Sequence, residues 1–284
     1  MSLVEALALG LLIGLSLGAL GGGGSILTVP ALVYVLHEHA QAATTGSLVI
    51  VGITAFVGSV GHARSGNVRW RAGTVFGVIG IAASYGGTAL NRSVNQNALL
   101  LAFGALMLVA AVAMVRRTPS IAPSLADEST LAMAGAPAAP RPATGPVDAS
   151  GSDTRQPRSD PATVLRLVLA ALVVGFLTGF LGVGGGFVIV PALVMVLDFP
   201  MAIAVGTSLL IIAINSAAAL AARAGTGAFH WAIIIPFTIA AIAGSLAGTR
   251  VADKASGPSL TRAFAALLVA VASYVIIRSA VSLS

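Results

Sequence analysis

An apolar run from about Val164 to Leu197 contains Gly182-Val183-Gly184-Gly185-Gly186, with Pro191 five residues further on. A second run, from Leu7 to Leu36, contains Gly21-Gly22-Gly23-Gly24-Ser25, followed by Pro30. Each glycine costs a helix about 1 kcal/mol relative to alanine, so a helix meeting several in a row breaks there. A break surrounded by hydrocarbon exposes N–H and C=O groups that lipid cannot hydrate. Such backbone is tolerated only where protein, water or a ligand satisfies it, which makes these two glycine loops the expected functional centre.

That the runs lie in a membrane follows from composition. Of 284 residues, 57% are hydrophobic and 8% charged, where a soluble domain carries about 25% charged residues. Apolar segments fall at about 3–36, 41–63, 72–91, 97–115, 163–197, 201–222, 231–251 and 259–280, most near the ~20 residues a helix needs to cross a bilayer. The sequence therefore predicts an all-α polytopic membrane protein. It has about eight transmembrane segments arranged as two four-helix repeats, with the first and fifth segments broken at the Gly-rich loops. The net charge of +6 comes from basic residues at segment ends rather than on one face, so no nucleic-acid partner is expected. The absence of cysteine excludes disulfides, thiolate metal sites and cysteine nucleophiles. The first apolar run lacks a basic leader and a cleavage site and is read as a retained span.

The two groups of segments are copies. Placing Pro30-Ala31-Leu32-Val33 on Pro191-Ala192-Leu193-Val194 aligns Gly14 with Gly175, Gly18 with Gly179, Ser47-Leu48 with Ser208-Leu209, Trp70 with Trp231, and Gly87-Thr88 with Gly248-Thr249, all without a gap. This gives a first transmembrane repeat at 1–117, a linker at 118–161 and a second repeat at 162–284. The linker is rich in Ala, Pro, Ser, Thr and Gly and holds Asp127, Glu128, Asp148, Asp153 and Asp160. It is expected to be a disordered tether. If each segment crosses once, Arg64, Arg69, Arg71, Arg116, Arg117, Arg166, Arg223, Arg278 and the linker arginines share one side. Only Arg92, Arg250, Lys254 and Arg262 fall on the other. The positive-inside rule then puts both termini and the linker in the cytoplasm, for a bacterial inner-membrane protein. With four spans each, the halves are expected to share one orientation, related by an axis along the membrane normal.

The repeated Gly-Gly-Gly-x-x-x-x-Pro core (Gly184–Gly186 to Pro191, and Gly22–Gly24 to Pro30 with one residue more), then Gly206-Thr207-Ser208-Leu209, then Gly227 before Trp231, resembles the TauE/SafE sulfite-exporter family of bacterial membrane proteins. The first half departs from that pattern, with Thr45-Gly46-Ser47 for Gly-Thr-Ser and Ser25 for the last glycine. The resemblance implies transport of sulfite, sulfonates or related sulfur anions, with export of sulfite or a small sulfonate as the first reading and sulfonate uptake as the alternative.

The residues themselves agree with an anion. A helix beginning just after Gly186 offers the first-turn N–H groups of about Phe187 to Val190 at the positive end of its dipole, with Pro191 at the edge of that turn. Glycines let an oxyanion approach such donors. The candidate substrate-binding residues are accordingly Gly22, Gly23, Gly24 and Ser25 with Ser47, and Gly184, Gly185 and Gly186 with Thr207, Ser208 and Asn215. The alternative for the glycines is close helix packing. For Thr207 and Ser208 it is capping or back-bonding, and for Asn215 a helix–helix hydrogen bond.

His62 and His230 are candidate proton carriers near one membrane edge, or interfacial hydrogen-bonders. Arg64 and Arg223 read as topology signals, Trp70 and Trp231 as belt residues. His37-Glu38-His39 lacks the spacing of a metal site, and the glycines lack the strand and ribose-binding acid of a dinucleotide site, so no metal or cofactor is expected. No catalytic set occurs in the spans, which argues against an enzyme and leaves a non-transporting scaffold as the rival class. Glu5, Glu38, Asp198 and Asp253 are the only acids outside the linker. None is mid-membrane, so the expected driver is the membrane potential rather than a carboxylate proton relay. The oligomeric state is not legible.

Overall fold

A computed structural model describes residues 3–36, 38–91, 96–117, 161–181, 186–222 and 229–281. Among them are ten α-helices and no strand: α1 Leu3–Leu20, α2 Gly23–Pro30, α3 Ala40–Arg64, α4 Trp70–Asn91, α5 Gln96–Arg117, α6 Pro161–Leu181, α7 Gly186–Met195, α8 Met201–Ala222, α9 Trp231–Lys254 and α10 Gly257–Val281. Six helices are long and apolar enough to cross a membrane: α3, α4, α6, α8, α9 and α10. The linker, with Gly184 and Gly185, lies outside the described residues.

The turn after α1 decides the course of the chain. Gly21 takes φ 79° and its N–H donates to Leu17 O at 2.8 Å. This left-handed cap ends the helix, and it is a conformation that glycine adopts without strain. α2 then runs back along α1, with Gly24 against Ile13 and Leu17. After Pro30 the backbone widens into a π-helical turn, Ala31–Val35, since proline removes one i→i−4 bond. The broken first segment is thus a hairpin that returns towards its own starting face. Both hairpins end alike: Glu38 N–H donates to Leu32 O and Phe199 N–H to Leu193 O, at matching repeat positions.

This reversal overturns the expected orientation of the halves. Neighbouring positions run in step between α1 and α9 (Gly10 at Phe237, Gly14 at Ala241, Gly18 at Ser245) and between α6 and α4 (Gly175 at Gly80, Gly179 at Ser84), so both pairs are parallel. α3 and α8 occupy matching repeat positions yet run antiparallel, with Gly52 at Ser216 and Gly58 at Leu209. The halves are therefore inverted, with their pseudo-two-fold axis across the bundle rather than along it. The physical reason is parity: a hairpin followed by three more helices leaves the chain on the opposite face. The termini accordingly sit on one face of the bundle and the ends of α5 and α6, which the linker joins, on the other. The expectation that termini and linker share a side is corrected.

Packing follows the same exchange. α1 lies mainly on α9, and α6 on α4, so each hairpin leans on the other half of the chain. A methyl group at Gly14, Gly18, Gly175 or Gly179 would overlap the facing backbone. These are the small-residue faces by which helices attract each other without a hydrophobic drive. Their outer surfaces carry exposed Leu11, Leu12, Val78 and Val173. α3 and α8 are the most enclosed of the six long helices, each with 61% of its span buried against 28% for α4 and α6.

Gly14→Ala should lower the stability of the purified protein in detergent by about 1–3 kcal/mol, because overpacking a tight contact costs that much. Gly86→Ala, where a methyl meets open space on α4, should leave it unchanged or raise it by up to about 1 kcal/mol. Thermal unfolding of the two variants side by side checks this, and equal midpoints would contradict the packing.

Candidate functional site

The tips of the two hairpins touch. A methyl at Gly22 would overlap the carbonyl of Gly186 and the Cα of Phe187, and one at Gly186 would meet Ser25 Oγ. Ser25 and Gly186 are matching positions of the repeat, so their contact lies on the pseudo-two-fold axis. There the N-terminal turns of α2 and α7 converge: Gly22, Gly23, Gly24 and Gly186 are all buried, as is every residue of α7 through Leu193. The first N–H groups of an α-helix have no partner within it, and the helix dipole makes that end positive. Pro191 stands sixth in α7 rather than at the edge of its first turn, because the helix already starts at Gly186. Its missing N–H thereby withdraws a donor from Phe187 O.

Two of the candidate hydroxyls stand at the tips, Ser25 against Gly186 and Ser208 against Gly21, whereas Ser47 lies further along α3. Ser25 Oγ donates to Gly22 O (2.8 Å), Ser47 Oγ to Thr44 O (2.8 Å) and Ser208 Oγ to Val205 O (2.8 Å). Each keeps lone pairs free while spending its proton on its own helix. Ser208 lies directly against Gly21. Thr207 Oγ1 instead accepts the N–H of Arg69 at 3.1 Å, so it fastens α8 to the start of α4. The first half has Gly46 at that position and no such tie. Ser47 is held on α3, whose neighbour Gly46 faces Ile234.

Thr54 and Asn215, also matching positions, fall at the level where α3 crosses α8. Thr54 Oγ1 and Asn215 Oδ1 are buried without a hydrogen-bond partner. Asn215 therefore does not make, through Oδ1, the interhelical bond that was one of its two expected roles. Buried polar groups are nearly always paired, so two orphans at the crossing mark a place that water or a ligand completes.

The histidines part company. His62 is fully buried near the linker-face end of α3, and its Nε2 sits 2.9 Å from Gly18 O, to which it must donate because a carbonyl only accepts. His230 starts α9 on the opposite face, where its Nδ1 meets Glu38 Oε2 at 2.7 Å. The expectation that both lie near one edge is corrected, since α3 and α9 are parallel and the two residues stand at opposite ends. Glu38 thus closes the first hairpin onto the second half beside a crevice lined by Leu32, Ala43, Gly46 and Ile234. No group of three or more residues suited to hold a metal ion occurs among the described residues. Trp70 and Trp231, both exposed, begin helices at opposite faces.

The two hairpins thus meet, Gly22 against Gly186, inside an apolar bundle. Residues 6–275 match the profile described as "Sulfite exporter TauE/SafE". The chain belongs to the TauE/SafE family. It is 33% identical over 291 residues to a "Probable membrane transporter protein" of Xylella fastidiosa, covering 99% of this chain and 98% of that one. It is 25% identical over 238 residues to the "Probable membrane transporter protein YunE" of Bacillus subtilis, covering 81% of each. No solved structure matches. As a TauE/SafE member the chain is a membrane transporter.

The role of Thr207 separates from that of the tips. Thr207→Val should cost about 1 kcal/mol of stability, the usual worth of one such bond, and Thr207→Ser should restore it. Unfolding midpoints of the two variants decide the point; an unchanged Val variant would remove the tie to Arg69.

Proposed function

We propose that this protein carries a small sulfur oxyanion, sulfite or a short sulfonate, outward across a bacterial inner membrane. The substrate occupies the space between the two hairpin tips, held by Gly22, Gly23, Gly24 and Ser25 from one half and Gly184, Gly185 and Gly186 from the other. Ser47, Ser208 and Asn215 border it, with Thr207 behind them. The observation that carries this reading is the convergence of two helix N-terminal turns at the pseudo-two-fold axis, Ser25 against Gly186. Three oxyanion oxygens can accept several N–H donors at once. Hydroxyl neighbours are uncharged, which permits release as well as capture.

The halves 1–117 and 162–284, joined by a linker at 118–161, work as inverted repeats, exposing the site to each side in turn by rocking one against the other. The linker face is the cytoplasmic one. Among the described residues, Arg64, Arg69, Arg71, Arg116, Arg117, Arg166, Arg250, Lys254 and Arg262 belong to helix ends and turns at that face, and Arg278 to a helix end at the other. The inverted topology separates the charges more cleanly than eight single crossings do. It puts both termini outside. An inside-negative potential then favours anion efflux by about 2.3 kcal/mol per charge per 100 mV.

Flux of sulfite, sulfate, thiosulfate and an alkanesulfonate should be measured in proteoliposomes under an imposed potential of either sign. The expected result is potential-dependent flux of one or more of these anions that falls at least tenfold in Gly22→Val. Absence of flux for all four with folded protein would overturn the substrate reading. Because the chain has no cysteine, topology can be tested separately. Ser256→Cys on the linker face should be shielded from an impermeant thiol reagent added to intact cells, and His39→Cys labelled.

A further inference from the structure

One corner of the bundle holds a titratable group that the anion site does not account for. His62 is fully buried between Gly18, whose carbonyl it holds at 2.9 Å, and Gly206, which packs on its Cβ. Its Nδ1 has no partner, and neither has the equally buried Ser245 Oγ of α9, which packs against Gly18 and Gly58. Gly58 stands one helical turn before His62, so the two orphans share one side of α3. The repeat sharpens the contrast. In the other half the matching carbonyl, Gly179 O, takes the Thr88 hydroxyl at 3.4 Å, and the matching serine, Ser84, donates to Ile81 O at 2.8 Å. Only the first hairpin replaces that satisfied hydroxyl arrangement with an imidazole and leaves two polar atoms open.

A polar stripe runs from the pair towards the linker face, with Thr249 Oγ1 donating to Ser245 O at 2.9 Å. Ser245, Thr249 and Asp253 recur every four residues along one face of α9, opposite Gly58 and Gly61 of α3 and Ser65 just after it. Asp253, at the linker face, accepts from Ser65 Oγ (3.0 Å). The charged groups on the surrounding elements are Asp253 with Arg250 and Lys254 on α9, Arg64 on α3 and Arg69 before α4. α1 and α8 bring none to this corner.

We propose that His62 is a proton-binding site serving the first hairpin, loaded from the linker face along the Asp253–Thr249–Ser245 stripe, and that its protonation strengthens anion binding at the adjacent glycine tip. The neutral imidazole already donates its Nε2 proton to Gly18 O, so the incoming proton adds at the Nδ1 lone pair and no other bond changes. A hydroxyl can donate to the neutral ring or accept from the charged one, directly or through a water. Ser245 is thus suited to both states. The resulting cation stands one turn from Gly21, where Ser208 and the α2 N-terminus meet, so it adds attraction for an anion there without altering the contacts between the tips.

The coupling half of this proposal rests on the anion reading above, and the tests keep the two apart. The full-length protein labelled with 15N-histidine in micelles is titrated by NMR, and the His62 signal is the one missing from His62→Gln, a variant whose amide still donates to Gly18 O. The expected result is a signal that titrates and moves in Asp253→Asn. A signal that never titrates overturns the proton site, whatever the flux assays show. For an anion whose own charge is constant with pH, such as sulfate or an alkanesulfonate, apparent affinity should rise towards about tenfold per pH unit as pH falls through the titration, and His62→Gln should flatten that profile while retaining flux. An unchanged profile in His62→Gln overturns the coupling. Absence of any flux with a titrating His62 refutes the anion reading and with it the coupling, leaving the proton site standing.

Discussion

Backbone that turns around inside a membrane must be enclosed by protein, and everything else in this bundle is arranged to meet that demand. Neither hairpin can enclose its own tip. α1 with α2 offers one narrow face, and a lone N-terminal turn in hydrocarbon would leave several donors unpaired, each at a cost of several kcal/mol. The solution is exchange: α1 is carried by α9 of the other half and α6 by α4, while the tips press against each other. Glycine is needed on those long arms because helices in lipid gain by close backbone approach rather than by excluding water. Gly14, Gly18 and Gly248 meet the same partners as Gly175, Gly179 and Gly87 do at their matching positions. The packing face and the glycine tip are therefore separate uses of one residue type within a single hairpin.

Much of this was legible beforehand. The break at Gly21–Gly22 and the limits of the long helices follow from composition and period: 41–63 against α3, and 201–222 against α8. The family was legible from its glycine, proline and Gly-Thr-Ser motifs. Orientation was not, because an even or odd number of passes depends on whether the chain after Gly21 continues or reverses. That is settled by one left-handed residue and the fit of Gly24 on Ile13 and Leu17, which are tertiary facts. The error then spread. Arg250, Lys254 and Arg262 had to be placed on the sparse side, and a charge pattern that reads cleanly for an inverted pair read less cleanly for a parallel one.

The meeting place of the two hairpins was easier to read than the roles of its residues. The glycines stood out because contiguous glycine in an apolar run weakens a helix and gains nothing unless the chain must turn or open there. The hydroxyls were ambiguous because serine and threonine satisfy helix ends as readily as ligands. Thr207 is in fact committed to Arg69, whereas Ser208 faces the turn at Gly21. His62 could not be placed, since a histidine two residues before the end of a helix reads as interfacial unless the neighbouring hairpin tip is known to reach that depth.

Inversion with imperfect copying gives the two halves different chemistry at equivalent points, and this matters more than the symmetry itself. A strictly symmetric carrier would present the same site to both faces. Here Thr207 ties α8 to the start of α4 while Gly46 offers no hydroxyl at the matching point, and Ser25 meets Gly186 at the axis with a hydroxyl on one side only. The carbonyl that ends each long arm is held by a titratable ring in one half and by a hydroxyl in the other. On the proposed rocking of the halves, inward-open and outward-open states would differ in tethering and polarity, so the binding free energy need not be equal on the two sides. On that reading a directional preference resides in the residues that break the repeat as well as in the membrane potential.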